Sequence, residues 1–405
     1  MKQGWELKKM GEVLTIERGG SPRPIEKYIT KSKEGINWIK ISDATASDKY
    51  IFETKEKITK DGLHKTRVVN EGDFILSNSM SFGRPYIMKT TGCIHDGWLV
   101  LKQNGNKIFE SEFLYYLLSS PVVFQQFNSK AAGSTVRNLN ISLVSSVDIP
   151  VPPLPEQQRI VAILDDAFAK IEKAKDNAEQ NLKNAKELFE SYLQGVFENK
   201  GDDWEEKKLI EITNKIGSGA TPRGGNESYK SEGISLIRSM NVHDFEFRKK
   251  NLAFIDDQQA KELNNVTLQE NDVLLNITGA SVARCCVIPK EFLPARVNQH
   301  VSIIRAKKEI IDPIFLNLLL TSKFYKDQLL FTGEQGATRQ AITKAQLEVF
   351  KIAFPKSFKE QKSLMNKLEA LSFETKKLEA IYEQKIKDLD ELKKSVLQKA
   401  FSGEL

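Results

Sequence analysis

The amino-acid sequence predicts an α+β protein in which two similar mixed α/β domains are separated by two long antiparallel helices. We expect the helices to form an intramolecular coiled coil and the two halves to be related by a pseudo-twofold axis, in a circular arrangement. Three observations predict this fold: an internal repeat, short strand-like runs before each long helix, and an apolar heptad pattern within each helix.

The repeat extends along the whole chain. "WELKKMGEV" at 5–13 returns as "WEEKKLIEI" at 204–212, and further blocks recur in the same order. Self-similarity at an offset that changes only slightly along the chain indicates a tandem duplication. The segments 44–68 and 242–267 barely match, so the repeat predicts one scaffold that carries two different surfaces.

Each copy begins with short runs of strand type, such as "INWIKI" and "DFILSN", and ends in a long helical stretch. Runs of this length between turn residues are typical of strands. The predicted organisation is a first domain at 1–155, a first helical spacer at 156–198, a second domain at 199–355 and a second helical spacer at 356–405.

Apolar residues in both helical stretches recur at alternating spacings of four and three, which is the period of a coiled-coil seam. Two ordinary amphipathic helices, each packed on its own domain, would be the alternative. The predicted seam consists of Ile160, Leu164, Ile171, Ala174, Ala178, Leu188 and Tyr192 in the first helix, and of Leu364, Leu368, Leu371, Leu378, Tyr382, Leu389, Leu392 and Val396 in the second.

The stretch "IPVPPLPEQQRIVAIL" at 149–164 joins the first domain to its helix. Its prolines cannot continue a helix or fill a central strand, so the chain is expected to leave the domain at one defined angle. Pro155 stands just before the first helical turn, and Glu156 is favourable at a helix N-terminus. The stretch therefore predicts a stiff connection.

Composition sets broad limits. The chain has 405 residues, 40% hydrophobic and 28% charged, which fits a folded protein of two or three domains. Apolar runs are far shorter than a membrane span, and Cys93, Cys285 and Cys286 form no disulfide framework. We therefore expect a cytoplasmic protein. A net charge of +6 suits an anionic partner only weakly, since many proteins this basic bind no nucleic acid.

The sequence offers no recognisable catalytic, cofactor or metal site. The glycines of "IGSGAT" at 216–221 are followed by Pro222 rather than by a helix, which argues against a dinucleotide loop. The histidines lack metal-ligand spacing. Two Glu-x-Lys triplets, at 6–8 and 205–207, are better explained as solvated charge than as a nuclease centre.

Polar turn segments instead occur in pairs, one member in each copy. "RGGSPRP" at 18–24 pairs with "GSGATPRGG" at 217–225, and "IHDGW" at 94–98 pairs with "VNQHV" at 297–301. Any single segment could be an ordinary turn, but paired segments with differing polar side chains favour recognition of nucleic acid. The candidate DNA-binding residues are Arg18, Ser21, Arg23, Asn78, Ser79, Arg84, His95, Asp96, Thr135, Arg137, Asn138, Ser218, Thr221, Arg223, Asn276, Thr278, Arg284, Asn298, Gln299, His300, Thr338, Arg339 and Gln340.

Several of these blocks resemble the specificity subunits of type I restriction–modification systems. "IPVPPLPEQQRIVAILD" at 149–165 is similar to that family's strand-to-helix junction, and "GSGATP" at 217–222 to its domain-opening motif. The first copy departs from the opening motif with "GGSPRP". The junction of the second copy, "IAFPKSFKEQKSL", keeps one proline where the first has four.

The resemblance implies a non-catalytic subunit that binds double-stranded DNA. Each domain would read one half of a bipartite, asymmetric target, and the helical spacer would fix the gap between the halves. Two methyltransferase (modification) subunits would dock on it, restriction/translocase subunits would join them, and these partners would supply the catalysis. A self-contained nuclease with a cryptic site and a helical scaffold without a DNA role are the alternatives.

Overall fold

The computed structural model consists of two compact units, and the boundary between them falls inside both long helices. Each unit therefore contains one mixed α/β domain and a part of each helix. In the described part of the chain, no helix is both long and apolar enough to cross a membrane. The described residues are 2–78, 81–103, 107–132, 138–334 and 341–405. The units are Met1–Glu179 with Gln384–Leu405, and Gln180–Glu383.

The first domain is built mainly from short strands. Its strands are β1 Glu6–Lys9, β2 Leu14–Arg18, β3 Ile29–Thr30, β4 Ile36–Ile39, β5 Tyr50–Ile51, β6 Glu56–Ile58, β7 Arg67–Val69, β8 Phe74–Ser77, β9 Pro85–Met88, β10 Gly92–Ile94, β11 Trp98–Gln103 and β12 Asp148–Val151. Its helices are α1 Met10–Val13, α2 Ile41–Thr45, α3 Ser111–Leu118, α4 Pro121–Ala131 and α5 Ile141–Ser145, followed by the long helix α6 Leu154–Glu198.

Two larger sheets form this domain, with strand orders β2-β11-β8-β9-β5 and β3-β6-β4-β10-β7, while β1 pairs with β12. Most pairs are antiparallel, but β4–β10 and β5–β9 are parallel. Every residue of β8 and β9 is buried, which is why neither strand shows an alternating pattern. One face of the first sheet packs on α3 and α4, and Phe113 of α3 contributes to that core.

The second domain repeats this plan with fewer strands. Its strands are β13 Trp204–Lys208, β14 Thr213–Ser218, β15 Ile234–Ile237, β16 Val242–His243, β17 Glu246–Phe247, β18 Ala253–Ile255, β19 Val273–Asn276, β20 Cys285–Val287, β21 Ala295–Val297, β22 Val301–Ala306 and β23 Lys351–Pro355. Its helices are α7 Leu209–Ile212, α8 Asp257–Glu262, α9 Pro313–Thr321, α10 Lys323–Glu334 and α11 Lys344–Val349, followed by the long helix α12 Phe358–Ser402.

Its sheets have the orders β14-β22-β19-β20 and β18-β15-β21, with β13 paired to β23 and β16 to β17. The parallel pair β15–β21 corresponds to β4–β10 of the first domain. The terminal pair β13–β23 likewise corresponds to β1–β12. The duplication seen in the sequence is therefore a duplication of fold.

Gln157 fastens the start of α6 to the first domain. Its side chain is fully buried, and its Oε1 accepts the backbone N–H of Glu110 at 2.9 Å. Its Nε2 donates to the carbonyl oxygens of Ile108 and Pro152, at 2.9 and 2.8 Å. One amide thus satisfies three backbone groups, one in a buried and two in half-buried hydrogen bonds.

Gln361 makes the same contacts at the start of α12. Its buried side chain accepts the N–H of Asp312 at 3.0 Å and donates to the carbonyls of Ile310 and Pro355, at 3.3 and 2.9 Å. The prolines of the first junction are mostly absent here, yet the glutamine bonding is the same. We call Gln157 and Gln361 the junction glutamines.

The long helices pack antiparallel in each unit. In the first unit, Lys175 of α6 lies 2.8 Å from Asp390 of α12, and Leu164 shares a core with Leu397. In the second unit, later residues of α6 meet earlier residues of α12, because Leu193 shares a core with Leu368. Pairing of early with late positions is the antiparallel arrangement that the sequence predicted.

The predicted seam is only partly correct. Leu188, Tyr192, Leu378 and Leu392 are exposed, with 48%, 41%, 37% and 47% of their surface accessible. After Ala178, the inward-facing positions of α6 shift by one residue relative to the predicted seam. An α-helix has 3.6 residues per turn, so its buried face drifts relative to a strict heptad. The buried or half-buried predicted seam residues are Ile160, Leu164, Ile171, Ala174, Ala178, Leu364, Leu368, Leu371, Tyr382, Leu389 and Val396.

In α12 the correction has the same character. Glu379, Ile386 and Lys393 are half-buried at the positions that follow the exposed Leu378, Lys385 and Leu392. At these places the inward-facing positions of α12 therefore lie one residue after the positions that the heptad predicted. Apolar residues on two faces of the helix made the sequence pattern ambiguous.

Candidate nucleic-acid interface

A cleft of about 1590 Å³ opens on the first domain. Its walls come mainly from the loop that follows β2, the end of β4 with the chain after it, and the turn between β10 and β11; Ile29, Glu56 and Ser81 add to them from other elements. The lining residues are Ser21, Pro22, Arg23, Pro24, Ile25, Glu26, Ile29, Trp38, Lys40, Ile41, Ser42, Thr45, Glu56, Ser81 and His95. We call this region cleft 1.

Gly19 lets the loop after β2 approach the turn before β11. Its N–H donates to the carbonyl of Trp98 at 3.0 Å, and the N–H of Gly20 donates to the carbonyl of Ile94 at 3.1 Å. A Cβ on Gly19 would lie 2.0 Å from the carbonyl oxygen of His95. Only glycine fits this approach, which brings the side chains of the "SPR" segment beside the "HDG" turn.

Four predicted residues meet at this point. Ser21 donates its hydroxyl to Oδ1 of Asp96 at 2.7 Å, and the Arg23 guanidinium lies 3.8 Å from Oδ2. Nδ1 of His95 accepts the N–H of Gly97 at 2.9 Å, so this imidazole carries its proton on Nε2. Burial lowers the pKa of His95, and the Ser21 hydrogen bond lowers the pKa of Asp96. The cluster therefore presents a neutral donor beside an ionised acceptor.

The loop between β8 and β9 contributes Arg84. Its guanidinium lies 3.6 Å from the carboxylate of Asp48 and 5.2 Å from the ring centre of Tyr86. Gly83, with φ of 73°, closes the loop by donating its N–H to the carbonyl of Ser77 at 2.9 Å. Arg84 is therefore held by neighbours while its side chain stays 42% exposed.

A cleft of about 380 Å³ lies at the corresponding place on the second domain. Its lining residues are Ser239, Thr278, Gly279, Ala280, Ser281, Arg284 and His300. We call it cleft 2. The approach of the opening loop is again made by a glycine, because a Cβ on Gly219 would lie 1.7 Å from the carbonyl oxygen of Val297.

Beside cleft 2, a chain of hydrogen-bonded polar side chains takes the place that Asp96 has beside cleft 1. Thr221 donates to Oε1 of Gln299, and Nε2 of Gln299 lies 3.1 Å from Nε2 of His300. Nδ1 of His300 in turn lies 2.5 Å from the hydroxyl of Thr278. Because the Gln299 amide nitrogen can only donate, His300 carries its proton on Nδ1, which is the opposite tautomer to His95.

Three predicted asparagines are buried and hydrogen-bond to the loops around the clefts. Asn78 is buried and donates from Nδ2 to the carbonyl of Asp96 at 2.7 Å. Asn276 is buried and donates to the carbonyl of Ser239 at 2.9 Å. Asn298 is buried, and its Oδ1 accepts the N–H of His300 at 3.0 Å. These amides hold the loops, and the structure does not present them on the cleft surface.

The other predicted residues are spread around the same edges. Arg18, Ser218 and Arg223 are exposed, and Nε of Arg18 donates to the carbonyl of Asp96 at 3.1 Å. Asn138 is half-buried, and its Oδ1 is buried with no hydrogen-bond partner among the described atoms. Ser79, Thr135, Arg137, Thr338, Arg339 and Gln340 lie outside the described residues.

The sequence analysis missed residues on the walls of both clefts. Lys40 and Glu56 line cleft 1 and form an ion pair at 2.6 Å, while Ser239 lines cleft 2. Lys40 and Ser239 follow the repeated strands β4 and β15. The repeated block "EGINWIKISD" was the signal that could have found them, because the residues just beyond a strand lie at one edge of its sheet. The described residues contain no cluster of three or more His, Cys, Asp or Glu able to hold a metal ion.

The chain is similar in sequence to proteins of a known family. The model of the type I restriction modification DNA specificity domain matches residues 2–181 and 201–388. The type I restriction enzyme MjaVIII specificity subunit of Methanocaldococcus jannaschii is 23% identical, over 100% of this chain and 93% of its own. The EcoKI specificity subunit of Escherichia coli K12 is 21% identical, over 100% and 90%.

Solved structures share the fold. The HsdS subunit from Thermoanaerobacter tengcongensis superposes with a TM-score of 0.66 at 20% identity, over 100% of this chain and 98% of its own. A chain from a structure of the assembly and conformational transition of the type I R-M system gives a TM-score of 0.76 at 20% identity, over 100% and 99%. Two mixed α/β domains with a long helical spacer are therefore a known arrangement.

Proposed function

Because the chain belongs to the family of type I restriction modification DNA specificity proteins, we propose that its two clefts read the two halves of a bipartite, asymmetric DNA target. The chain is a DNA-recognition specificity subunit and not itself an enzyme, and the alternative of a self-contained nuclease is not supported. The observation that carries the proposal is the pair of clefts. They occupy corresponding places on the same scaffold, but Lys40 lines one with Asp96 beside it, and Ser239 lines the other with Gln299 beside it.

Methylome sequencing tests this proposal. Cells that express this chain with its modification subunit should carry a methylation motif with two specified parts separated by unspecified bases. Substituting cleft residues of the first domain should alter only one part, because each cleft is contained in one unit. A continuous motif, or a change in both parts, would contradict the assignment of one half-site to each cleft.

We propose that the paired long helices set the gap between the half-sites. Each helix has 45 residues, which corresponds to roughly 68 Å at about 1.5 Å per residue. One heptad inserted into both α6 and α12 adds about 10 Å, or roughly three base pairs. The methylation motif should then keep both half-sites and lengthen its gap. An unchanged gap would show that the helices do not set it.

DNA and the other subunits of a type I restriction–modification system are the partners that family membership implies. We propose more specifically that two methyltransferase subunits dock on the long helices, that restriction/translocase subunits join them, and that the protein works in the cytoplasm. Exposed apolar side chains on the helices support the docking. In the second unit they include Tyr192 and Leu188 on α6, and Phe373, Leu378 and Ile381 on α12.

Substitution of Phe373, which is 66% exposed, tests the docking surface. Phe373→Ser should reduce co-purification of the methyltransferase subunit at least several-fold, since exposed aromatic residues are frequent interface anchors. Phe331→Ser is the matched control, because Phe331 is 63% exposed on α10 of the same unit. Equal retention by both variants would exclude Phe373 from the interface.

A further inference from the structure

We propose that Asp96 reads an exocyclic amino group, of cytosine or adenine, within the half-site bound by cleft 1. This inference rests on the proposed function and adds to it the chemical class of base that one residue selects. It depends on three features of Asp96: a fixed main chain, a carboxylate with one oxygen left without a close partner, and a position beside the residues that line the cleft.

The main chain at Asp96 is held from two sides. Its carbonyl oxygen accepts from Nε of Arg18 at 3.1 Å and from Nδ2 of the buried Asn78 at 2.7 Å. The N–H of Asn78 donates to the carbonyl of the next residue, Gly97, at 3.1 Å. The turn is therefore ordered before any ligand binds, and a contact made by its side chain needs little further ordering.

Apart from the backbone of Asp96 itself, Ser21 is the one described residue that hydrogen-bonds to this carboxylate. Oδ1 accepts the Ser21 hydroxyl at 2.7 Å, whereas Oδ2 lies 3.8 Å from the Arg23 guanidinium, beyond hydrogen-bond distance. The side chain is 48% exposed. The Ser21 hydrogen bond also holds the pKa of Asp96 below its usual range, so the group is ionised at neutral pH and can only accept hydrogen bonds.

An ionised acceptor has few suitable partners on DNA. Phosphate oxygens repel it, and the major-groove edges of guanine and thymine present acceptors. Only N4 of cytosine and N6 of adenine donate in that groove. A carboxylate beside a DNA-binding cleft therefore discriminates for an amino group and against a keto group, while the neighbouring Arg23 offsets its repulsion from the backbone.

The second domain differs at this position. The opening hydroxyl is Thr221 instead of Ser21, and its partner is the amide Gln299 in place of Asp96. An amide both donates and accepts, so it suits a different base edge. The scaffold thus keeps the hydroxyl and exchanges the reading group, as expected if each cleft recognises its own sequence.

A chemical double-mutant cycle tests the proposal. It uses the complex of this chain with its methyltransferase subunits and a duplex that carries the target sequence found by methylome sequencing. Each cytosine of the first half-site is replaced in turn by 2-pyrimidinone, which lacks N4, and each adenine by purine, which lacks N6. One replacement should weaken binding by the wild type roughly 10-fold. The same replacement should have no effect on the Asp96→Ala complex.

Asp96→Asn provides a second variant that keeps an acceptor for Ser21 and presents an amide N–H₂ to the base. It should shift the preference at that one position toward guanine or thymine and leave the other half-site unchanged. Glu71→Gln removes the same charge from an exposed turn at the opposite end of β8 and should change nothing.

Two results would overturn the assignment. If Asp96→Ala weakens binding to every duplex equally, or if no replaced base distinguishes it from the wild type, then Asp96 only supports the loop. Failure of the proposed function would look different, because the wild-type complex would then show no bipartite target at all.

Discussion

The junctions where the two domains enter their long helices share their backbone bonding and differ in their charges. Both junction glutamines make equivalent contacts. In the first junction, Glu156 is bound by Arg159 at 2.7 Å and Lys2 at 2.8 Å, and these partners lower its pKa to about 2. In the second junction, burial and a hydrogen bond with Asp203 raise the pKa of Glu360.

This difference shows which parts of a junction can diverge. A buried amide that satisfies three backbone groups has no equivalent replacement among the other side chains, so both copies retain it. A partly exposed carboxylate interacts through solvent-screened charge, so its partners can change at small energetic expense. Likewise, the two copies share the glycines of their opening loops but differ in the polar residues of their clefts.

Removing a junction glutamine should have the largest effect. Gln157→Leu and Gln361→Leu each remove the partner of one buried and two half-buried backbone groups, at about 1–3 kcal/mol for the buried group and less for the others. Hydrogen exchange should show that Gln157→Leu loosens the first unit and Gln361→Leu the second. Gln158→Leu is the control, since Gln158 is exposed beside Gln157. Equal protection in Gln157→Leu and Gln158→Leu would refute the role of the amide.

Replacing the glycines that allow the opening loops to lie against the neighbouring turns should have an intermediate effect on stability. Gly219→Ala places a Cβ at 1.7 Å from a carbonyl oxygen and Gly19→Ala one at 2.0 Å, so each loop must shift, at an expected cost of about 2–3 kcal/mol. Thermal unfolding measures the loss. Gly217→Ala, where a Cβ would meet nothing within 4 Å, should be tolerated. A destabilisation by Gly217→Ala as large as that by Gly219→Ala would contradict the explanation.

The charges at the junctions should give the smallest effect, below about 1 kcal/mol. The depressed pKa of Glu156 means that its contribution to stability is present above its ordinary pKa of 4.5 and is lost as the pH falls toward about 2. The raised pKa of Glu360 has the opposite sign, so its contribution is lost as the pH rises from 4.5 through the raised value.

Thermal unfolding across this pH range distinguishes the two carboxyl groups. At pH 7, Glu156→Gln should lower the melting temperature slightly and Glu360→Gln should raise it. Near pH 2, Glu156→Gln should approach the wild type. Shifts of the same sign from both variants at pH 7 would show that the local charges do not control these pKa values.

The sequence predicted the fold class well, because a duplication constrains every element twice. The repeat, the strand runs and the proline-to-helix junction identified the two domains and the long helices, and the family match confirms that arrangement. The sequence offered Ser21, Arg23, His95 and Asp96 as candidates in two separate turn segments, and it is the fold that brings these segments together.

Other features depend on packing that a linear pattern does not contain. Asn78, Asn276 and Asn298 look like base-reading amides in the sequence, yet burial directs them to backbone carbonyls and amides. Leu378 and Leu392 fit the heptad as well as their neighbours do, because α12 is apolar on more than one face. Glu56, from the segment 44–68 that barely matches the second copy in sequence, could be assigned to the cleft only from the fold.

The first unit is formed from two separate segments of the chain, and this has a consequence for folding during synthesis. Leu397, Ala400 and Phe401 belong to the core of the first domain, and Phe401 lies 5.3 Å from Phe113 between ring centres. The second unit, in contrast, is one continuous segment, Gln180–Glu383. During synthesis the core of the first unit is therefore completed only once residues 397–401 have been translated, whereas the core of the second unit, which extends to Leu368, is available before them.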